Sequence, residues 1–314
     1  MLLSDILKEF DSIRDIVIKN EKSFDYLGLT ASEVDGLLCV FLDNEKYLKD
    51  IKSNVRMIIT NNNIGKLLED KSEFGICVVD KPREVFFSIH NHLADIGNKT
   101  NKKKKSIMGS GCEISNLSSI AEYNVEIGKN VFIEEFVVVR ENTIIGDNSI
   151  IRAGSIIGGQ GYEFKRTEEG ILSVAHSGGV IIGNNVEIQY NTCIDRGVYE
   201  WDNTIIGDNC KIDNLVHISH GVKIDKNSMI VANAGIGGRT TIGQNTWIGF
   251  ASTITNGISV GDNARANIGS VVTKSIPDGG SHTGNFAVEH SIFMKNLKKL
   301  VSNEEESWSW NFVT

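Results

Sequence analysis

Proline is nearly missing from this chain: among 314 residues only Pro82 and Pro277 occur. Proline-rich linkers and collagen-like repeats are therefore excluded. Aromatic residues are also scarce, at 7%. No stretch approaches about 20 uninterrupted apolar residues, so none reads as a membrane span. The start, MLLSDILKEF, carries acids and no long apolar core, which is not a signal-peptide pattern, and the expected location is the cytoplasm. The five cysteines (Cys39, Cys77, Cys112, Cys193, Cys210) are odd in number, scattered, and form no C-x-x-C pair. That speaks against a disulfide framework or a cysteine zinc site and suits a reducing compartment. A net charge of −8 argues against nucleic acid as a partner. The local exception, Lys102–Lys105, reads as a solvated linker between domains, with a phosphate or partner patch as the other reading.

What the chain has instead is glycine, 31 of them, and a period of six. Ile127, Ile133, Val139, Ile145, Ile151 and Ile157 fall in step, and the series resumes at Ile182, Ile188 and Ile194. From Ile206 it runs through Ile212, Ile218, Ile224, Ile230, Ile236, Ile242, Ile248, Ile254 and Val260 to Val272. Position 200 is Glu and position 266 is Ala; otherwise the phase holds. An aliphatic residue every six, with Gly, Asn or Asp between, is the signature of a parallel β-helix of hexapeptides. Each hexad supplies one short strand and one turn, and three close a coil, so about 18 residues bring the chain back above itself.

Residues 158–179, GGQGYEFKRTEEGILSVAHSGG, break the series and read as a loop thrown out from the prism, either a binding wall or a passive insertion. A smaller irregularity, DRGVYEWDNT at 195–204, carries Trp201 and keeps phase. Before the repeat, apolar residues from Leu2 through Phe10 and Ile13 to Ile16 recur at helical spacing, predicting an amphipathic helix over 1–19. Strand-like runs at 37–42, 55–60 and 74–80 and a helical stretch at 83–97 follow. The predicted organisation is a small α/β domain over 1–100, a linker over 101–106, a β-helix over 107–276 and a helical tail over 277–314, with a terminal helix at 290–306. The fold class is mainly β.

Together with IDRG (194–197) and KIDNLVHISHGVKI (211–224), this organisation resembles the left-handed β-helix sugar N-acyltransferases. It looks like the UDP-3-O-acylglucosamine N-acyltransferases of lipid A synthesis and the related enzymes that acylate dTDP-linked amino-dideoxy sugars. The resemblance spans roughly residues 20–285. It implies His220 as general base, Asp213 as the carboxylate orienting it, and the backbone N–H of Gly238 as oxyanion donor. Gly238 lies 18 residues after His220, so the repeat itself stacks the two on one edge. FLDNEKY matches the family's nucleotide-binding aromatic, asparagine and tyrosine with Phe41, Asn44 and Tyr47, although a core Phe and an exposed Tyr explain the same pattern. A homotrimer with active sites between subunits is implied as well.

Two departures point to the dTDP-sugar relatives and a short acyl-coenzyme A. Where the lipid A enzyme has a second histidine this chain has Gly257, and the carrier-protein-binding extension is shortened to 286–314. The expected reaction moves an acyl group from acyl-coenzyme A to the amine of a nucleotide-linked sugar, by the departures a dTDP-4-amino-4,6-dideoxy sugar; the alternative is the lipid A enzyme with an acyl carrier protein donor. The imidazole takes the amine proton, and the thioester needs no covalent enzyme intermediate. Lys274 or Arg265 would meet a coenzyme phosphate, or each is simply an exposed base.

Two other classes stand beside this reading. A metal site would need His217 and His220 to converge, yet residues three apart on a flat strand face opposite ways and no third histidine lies one or two coils away. A non-enzymatic scaffold would need none of these spacings. His90 and His92 read as helix-surface or linker residues, and the roles of His176 and His217 are open.

Overall fold

The computed structural model describes residues 1–10, 16–100, 103–284 and 287–302. The N-terminal part is a sheet covered on both faces. Strands Tyr26–Gly28, Leu38–Leu42, Val55–Thr60 and Gly75–Val78 run parallel, and Val17–Lys19 joins antiparallel at the edge. Leu38, Val40, Ile58 and Ile76 meet Ile64 and Leu68 of helix Asn62–Leu68 on one face. Cys39, Met57 and Ile59 meet Phe86, Phe87 and Ile89 of helix Pro82–Thr100 on the other. Burial on both faces is why LLCVFL reads as a continuous apolar run without alternation.

The helix expected over 1–19 is shorter than its spacing suggests. Only Leu3–Leu7 is helical, with Leu3 and Leu7 buried, and Val17–Lys19 is a strand paired with Ile76–Val78. The helical spacing is shared between two elements that pack against one core, a helix and a strand, and Ile13 lies outside the described residues.

The repeat region is a left-handed β-helix of three parallel sheets; among the described residues the first and third walls have eight strands each and the second has nine. In one coil, Lys211–Ile212 lies on the second wall, His217–Ile218 on the third and Lys223–Ile224 on the first. Ile212, Ile218 and Ile224 point inward and are buried, as are their counterparts above and below. Each buried stud is worth about 1.5–3 kcal/mol. The corners need positive φ, and asparagine tolerates that conformation: Asn148, Asn185, Asn209 and Asn245 have φ between 56° and 61°. This is how a proline-poor chain turns three times per coil.

Two excursions interrupt the winding, both at the corner between the third and first walls. The first carries the hairpin Phe164–Thr167/Gly170–Ser173 between Ile157 and Ile182. The second lies between Cys193–Asp195 on the third wall and Thr204–Ile206 on the first. Its length equals one extra hexad, so residue number stays in phase while the chain leaves the prism. The expected regularity at 195–204 is numerical only. The excursions cross where Gly178 N–H donates to Gly197 O at 3.0 Å. They then dock on the N-terminal domain, where Val174, Val198 and Tyr199 join the Phe86 core and Trp201 packs against it.

Helix His290–Ser302 closes the described chain and is exposed throughout the side chains described. Among the described residues no helix is long and apolar enough to cross a membrane.

The tight turn of the second excursion explains the glycine of IDRG. A Cβ on Gly197 would lie 1.8 Å from Asp202 O, so Gly197→Ala forces open the tight turn of the second excursion at the place where it meets the first. Its thermal midpoint should fall by the equivalent of about 1–3 kcal/mol, checked by calorimetry; an unchanged midpoint contradicts the close approach of Gly197 to Asp202.

Candidate active site

The corner that releases both excursions also carries His220. Strand pairing sets His217 opposite Gly235 and Ile218 opposite Ile236, which places His220 directly below Gly238. The contact is close: a Cβ on Gly238 would lie 2.6 Å from His220 Nε2. The flanking N–H groups of Gly237 and Arg239 are taken by Ile254 O and His220 O, each at 2.9 Å. The Gly238 N–H has no acceptor among the described residues. A glycine with an uncommitted amide beside an imidazole can receive a developing oxyanion.

His220 and Gly238 line a cavity of about 640 Å³ whose opposite side is the N-terminal domain. Phe41, Tyr47 and Phe87 supply aromatic wall, and Arg83, Lys165 and Arg239 supply positive charge. The domain is held in place by the excursions. His90 Nε2 meets Ala175 O at 2.8 Å, Asn91 bonds Ser173 O and Ala175 N, and Trp201 Nε1 donates to Leu27 O at 2.9 Å. His90 is thus buried, against the surface position expected of it, and His92 packs on Phe10 with centroids 5.0 Å apart.

Around His220 the charges alternate. Glu163 Oε2 lies 3.4 Å from its Nε2, and Glu163 is itself bridged by Lys165. Arg239 donates from Nε to Asp202 at 2.7 Å and lies over the Tyr199 ring, which stacks on Trp201. Burial pushes the His220 pKa below its ordinary value, against the pull of Glu163. The ring is therefore neutral, and a competent proton acceptor, at neutral pH. His176, from the first excursion, stands edge-on to it with centroids 5.6 Å apart. Burial and the neighbouring His220 push His176 down to about 4.

The residues singled out by sequence fall into three groups. His220, Gly238, Phe41 and Tyr47 share the cavity, as does Gly257. Lys274 lies on the same edge, three coils from His220 by the 18-residue register, and is exposed. The rest lie elsewhere. Asn44 caps a short helix through Oδ1, which accepts from Lys46 N–H at 3.0 Å. Arg265 lies over the Trp247 ring on the second wall.

Asp213 lies apart from His220 within the chain. It follows the second-wall strand, so it sits at a different corner from His220. Its Oδ1 accepts from Asn214 N–H at 2.7 Å and its Oδ2 from Ala232 N–H at 3.0 Å. Seven residues is one face of the prism plus one, and that offset separates the two side chains within one chain. Glu163, Lys165, Arg83 and Arg239 are site residues that sequence reasoning misses. All but Arg83 lie in the excursions or next to Gly238, where the hexad pattern says nothing about direction.

Among known families, the bacterial transferase hexapeptide model (six repeats) matches residues 124–159 and 203–238, and the hexapeptide repeat of succinyl-transferase matches 239–274. UDP-3-O-acylglucosamine N-acyltransferase 2 of Legionella pneumophila (strain Lens) is 53% identical over 88 residues, 28% of this chain and 25% of that protein. The Delftia acidovorans UDP-3-O-acylglucosamine N-acyltransferase is 34% identical over 146 residues, 46% and 43% of the two chains. The matches thus span less than half the length of these relatives. Among solved structures, the Arabidopsis UDP-N-acetylglucosamine acyltransferase superposes with a TM-score of 0.52 at 25% identity, covering 66% of this chain and 77% of that one. The chain is a hexapeptide-repeat β-helix similar to sugar-nucleotide acyltransferases.

His176 gives a pH test. Its folded pKa lies below the unfolded value near 6.5, so the unfolded chain binds more protons between about pH 6.5 and 4. The stability of the neutral ring is complete above that window and lost as pH falls through it. Urea midpoints should drop more steeply from pH 7 to 4.5 in the wild type than in His176→Gln; equal slopes contradict the burial account.

Proposed function

We propose that the chain moves an acyl group from a pantetheine thioester to the amine of a nucleotide-linked sugar. One observation carries the reading: a single cavity joins an aromatic and cationic wall to a neutral imidazole with an open backbone amide. A nucleoside diphosphate matches the first part, with its base on Phe41 and Tyr47 and its phosphates toward Arg83 and Lys165. The sugar then reaches His220. The amine attacks the thioester carbonyl, His220 Nε2 takes its proton, and the Gly238 N–H holds the oxyanion. Collapse breaks the C–S bond, and the thiolate takes the proton from His220.

Two acceptors fit. A dTDP-4-amino-4,6-dideoxy sugar follows from Gly257 at the position where the lipid A enzyme has a second histidine. UDP-3-O-acylglucosamine is favoured by the relatives' names, and we take it as the first substrate to try. For the donor, Lys274 lies roughly 14 Å along the edge from His220, three strand spacings of about 4.8 Å. A phosphate at Lys274 with the pantetheine arm along the edge suits acyl-coenzyme A and also the carrier-protein arm; Arg265 would serve only from another face. A homotrimer is supported by the corner between the second and third walls, where Leu117, Phe136, Leu215 and Ile268 are each more than half exposed in a column. Leu215 and Phe136 also hold positive φ there, a conformation bulky residues rarely adopt.

His220→Ala should lower kcat by about a hundredfold or more with an unchanged thermal midpoint, measured with acetyl-, 3-hydroxybutyryl- and longer acyl donors, on coenzyme A or carrier protein, against UDP- and dTDP-amino sugars. Near-normal turnover removes the base assignment. Tyr47→Ala should raise KM for the nucleotide sugar and leave kcat nearly unchanged. Leu215→Asp should shift the mass in solution from trimer toward monomer in light scattering; a wild-type monomer contradicts the assembly.

A further inference from the structure

A carboxylate stands at the reacting atom of His220. Glu163 Oε2 lies 3.4 Å from His220 Nε2, longer than the roughly 2.7–3.2 Å of a well-made N–H···O bond. Nε2 is also the nitrogen that lies against Gly238. Glu163 reaches the cavity from the first excursion, where its backbone is fixed by Val174 N–H donating to Glu163 O at 3.0 Å. The side chains of His220 and Glu163 are 12% and 21% exposed, so a charge entering the gap between them meets little water.

The other groups facing Glu163 come from every element around it. Lys165, from the hairpin, bridges to the second oxygen, Oε1. His176 closes the first excursion, Tyr199 belongs to the second, His90 to helix Pro82–Thr100, and Arg239 follows Gly238. Arg239 is committed to Asp202. Lys165 is the cation offered to the diphosphate, and each N–H it gives there is one not given to Glu163. An aliphatic amine brings the missing cation: even a peptide α-amino group titrates near about 8, so an amino sugar arrives mostly as −NH3+ at neutral pH. That nitrogen must lose one proton before it can attack a thioester and a second as the C–N bond forms.

We propose that Glu163 is the ammonium-binding carboxylate of this site and that, beside His220, it selects an amine over a hydroxyl as the acyl acceptor. The inference rests on the acyl-transfer reading for the identity of its ligand. With the ring proton on Nδ1, which faces Ser219 Oγ at 3.3 Å, Nε2 and Oε2 are two acceptors for the three N–H donors of one −NH3+ group. One proton leaves the ammonium through the carboxylate to solvent. The free amine then bonds to the thioester carbonyl carbon, and His220 Nε2 takes the second proton. Collapse breaks the C–S bond and returns that proton to the thiolate, so one amide, one thiol and one solvent proton result. A hydroxyl brings no charge to Glu163 and gains only an ordinary hydrogen bond there, about half as strong as a charge-assisted one.

Titration calorimetry without an acyl donor tests this, with UDP-glucosamine against UDP-glucose and a dTDP-4-amino-4,6-dideoxy sugar against its 4-hydroxy counterpart. At pH 7 the wild type should bind one amino sugar about tenfold or more tighter than its hydroxy analogue, and by pH 9, with the amine neutral, most of that preference should be gone. Glu163→Gln, nearly the same in shape, should bind the two alike at both pH values. Its KM for the amino sugar should rise about tenfold at pH 7 and little at pH 9. A wild type without the preference overturns the proposal, and so does a Glu163→Gln protein that keeps it. Equal weakening of both sugars at both pH values overturns it too, since that is what a merely structural Glu163 gives. If Glu163→Gln does not fold, the wild-type preference and its pH dependence decide alone. A protein that shows the preference but acylates no amine loses the acyl-transfer reading and keeps the ammonium site. One that acylates amines while Glu163→Gln retains the preference keeps that reading and loses the ammonium site.

Discussion

One constraint governs the rest: an aliphatic side chain every six residues must reach the centre of the prism. Because three walls close a coil, side chains 18 residues apart are stacked about one strand spacing from each other. The register therefore sets the neighbours of every outward side chain without any contact between the side chains themselves. His220 below Gly238 is a product of that rule, and so is Lys274 on the same edge. The buried studs make the scaffold stiff, which is what an oxyanion donor needs if it is to avoid reorganisation.

A rigid prism cannot by itself wrap a substrate. The chain solves this by leaving the winding twice at one corner. The excursions carry Glu163, Lys165, His176, Tyr199 and Trp201, and they end in the core of the N-terminal domain. Binding wall, base environment and domain orientation are thereby coupled through a few contacts: His90 to Ala175, Asn91 to Ser173, and Trp201 to Leu27. Glycines mark the places where this folding-over is tightest, at Gly161 among three polar side chains and at Gly197 where the backbones cross.

The legible part of the fold is the part with a period. The studs, the coil length and the His220–Gly238 stacking follow from counting. Asp213 is not stacked with His220 by that count, since its distance from it is not a multiple of 18, and within the chain its carboxylate bonds a corner. The excursion at 196–203 is hidden because its length happens to equal a hexad. The N-terminal spacing misleads because it starts in the helix Leu3–Leu7 and runs up to the strand Val17–Lys19, so one apparent period covers more than one element. Glu163 and Arg83 carry no signal beyond lying in an interrupted or unrelated segment, because their direction is set by the docking of two domains.

The most direct test is a crystal structure with a nucleotide-linked amino sugar bound. The account predicts the base against Phe41 and Tyr47, the diphosphate toward Arg83 and Lys165, and the amine nitrogen within hydrogen-bond reach of His220 Nε2. A nucleotide seated instead in the separate cavity lined by Tyr26, Lys103 and Trp201, with its amine away from His220, would contradict it.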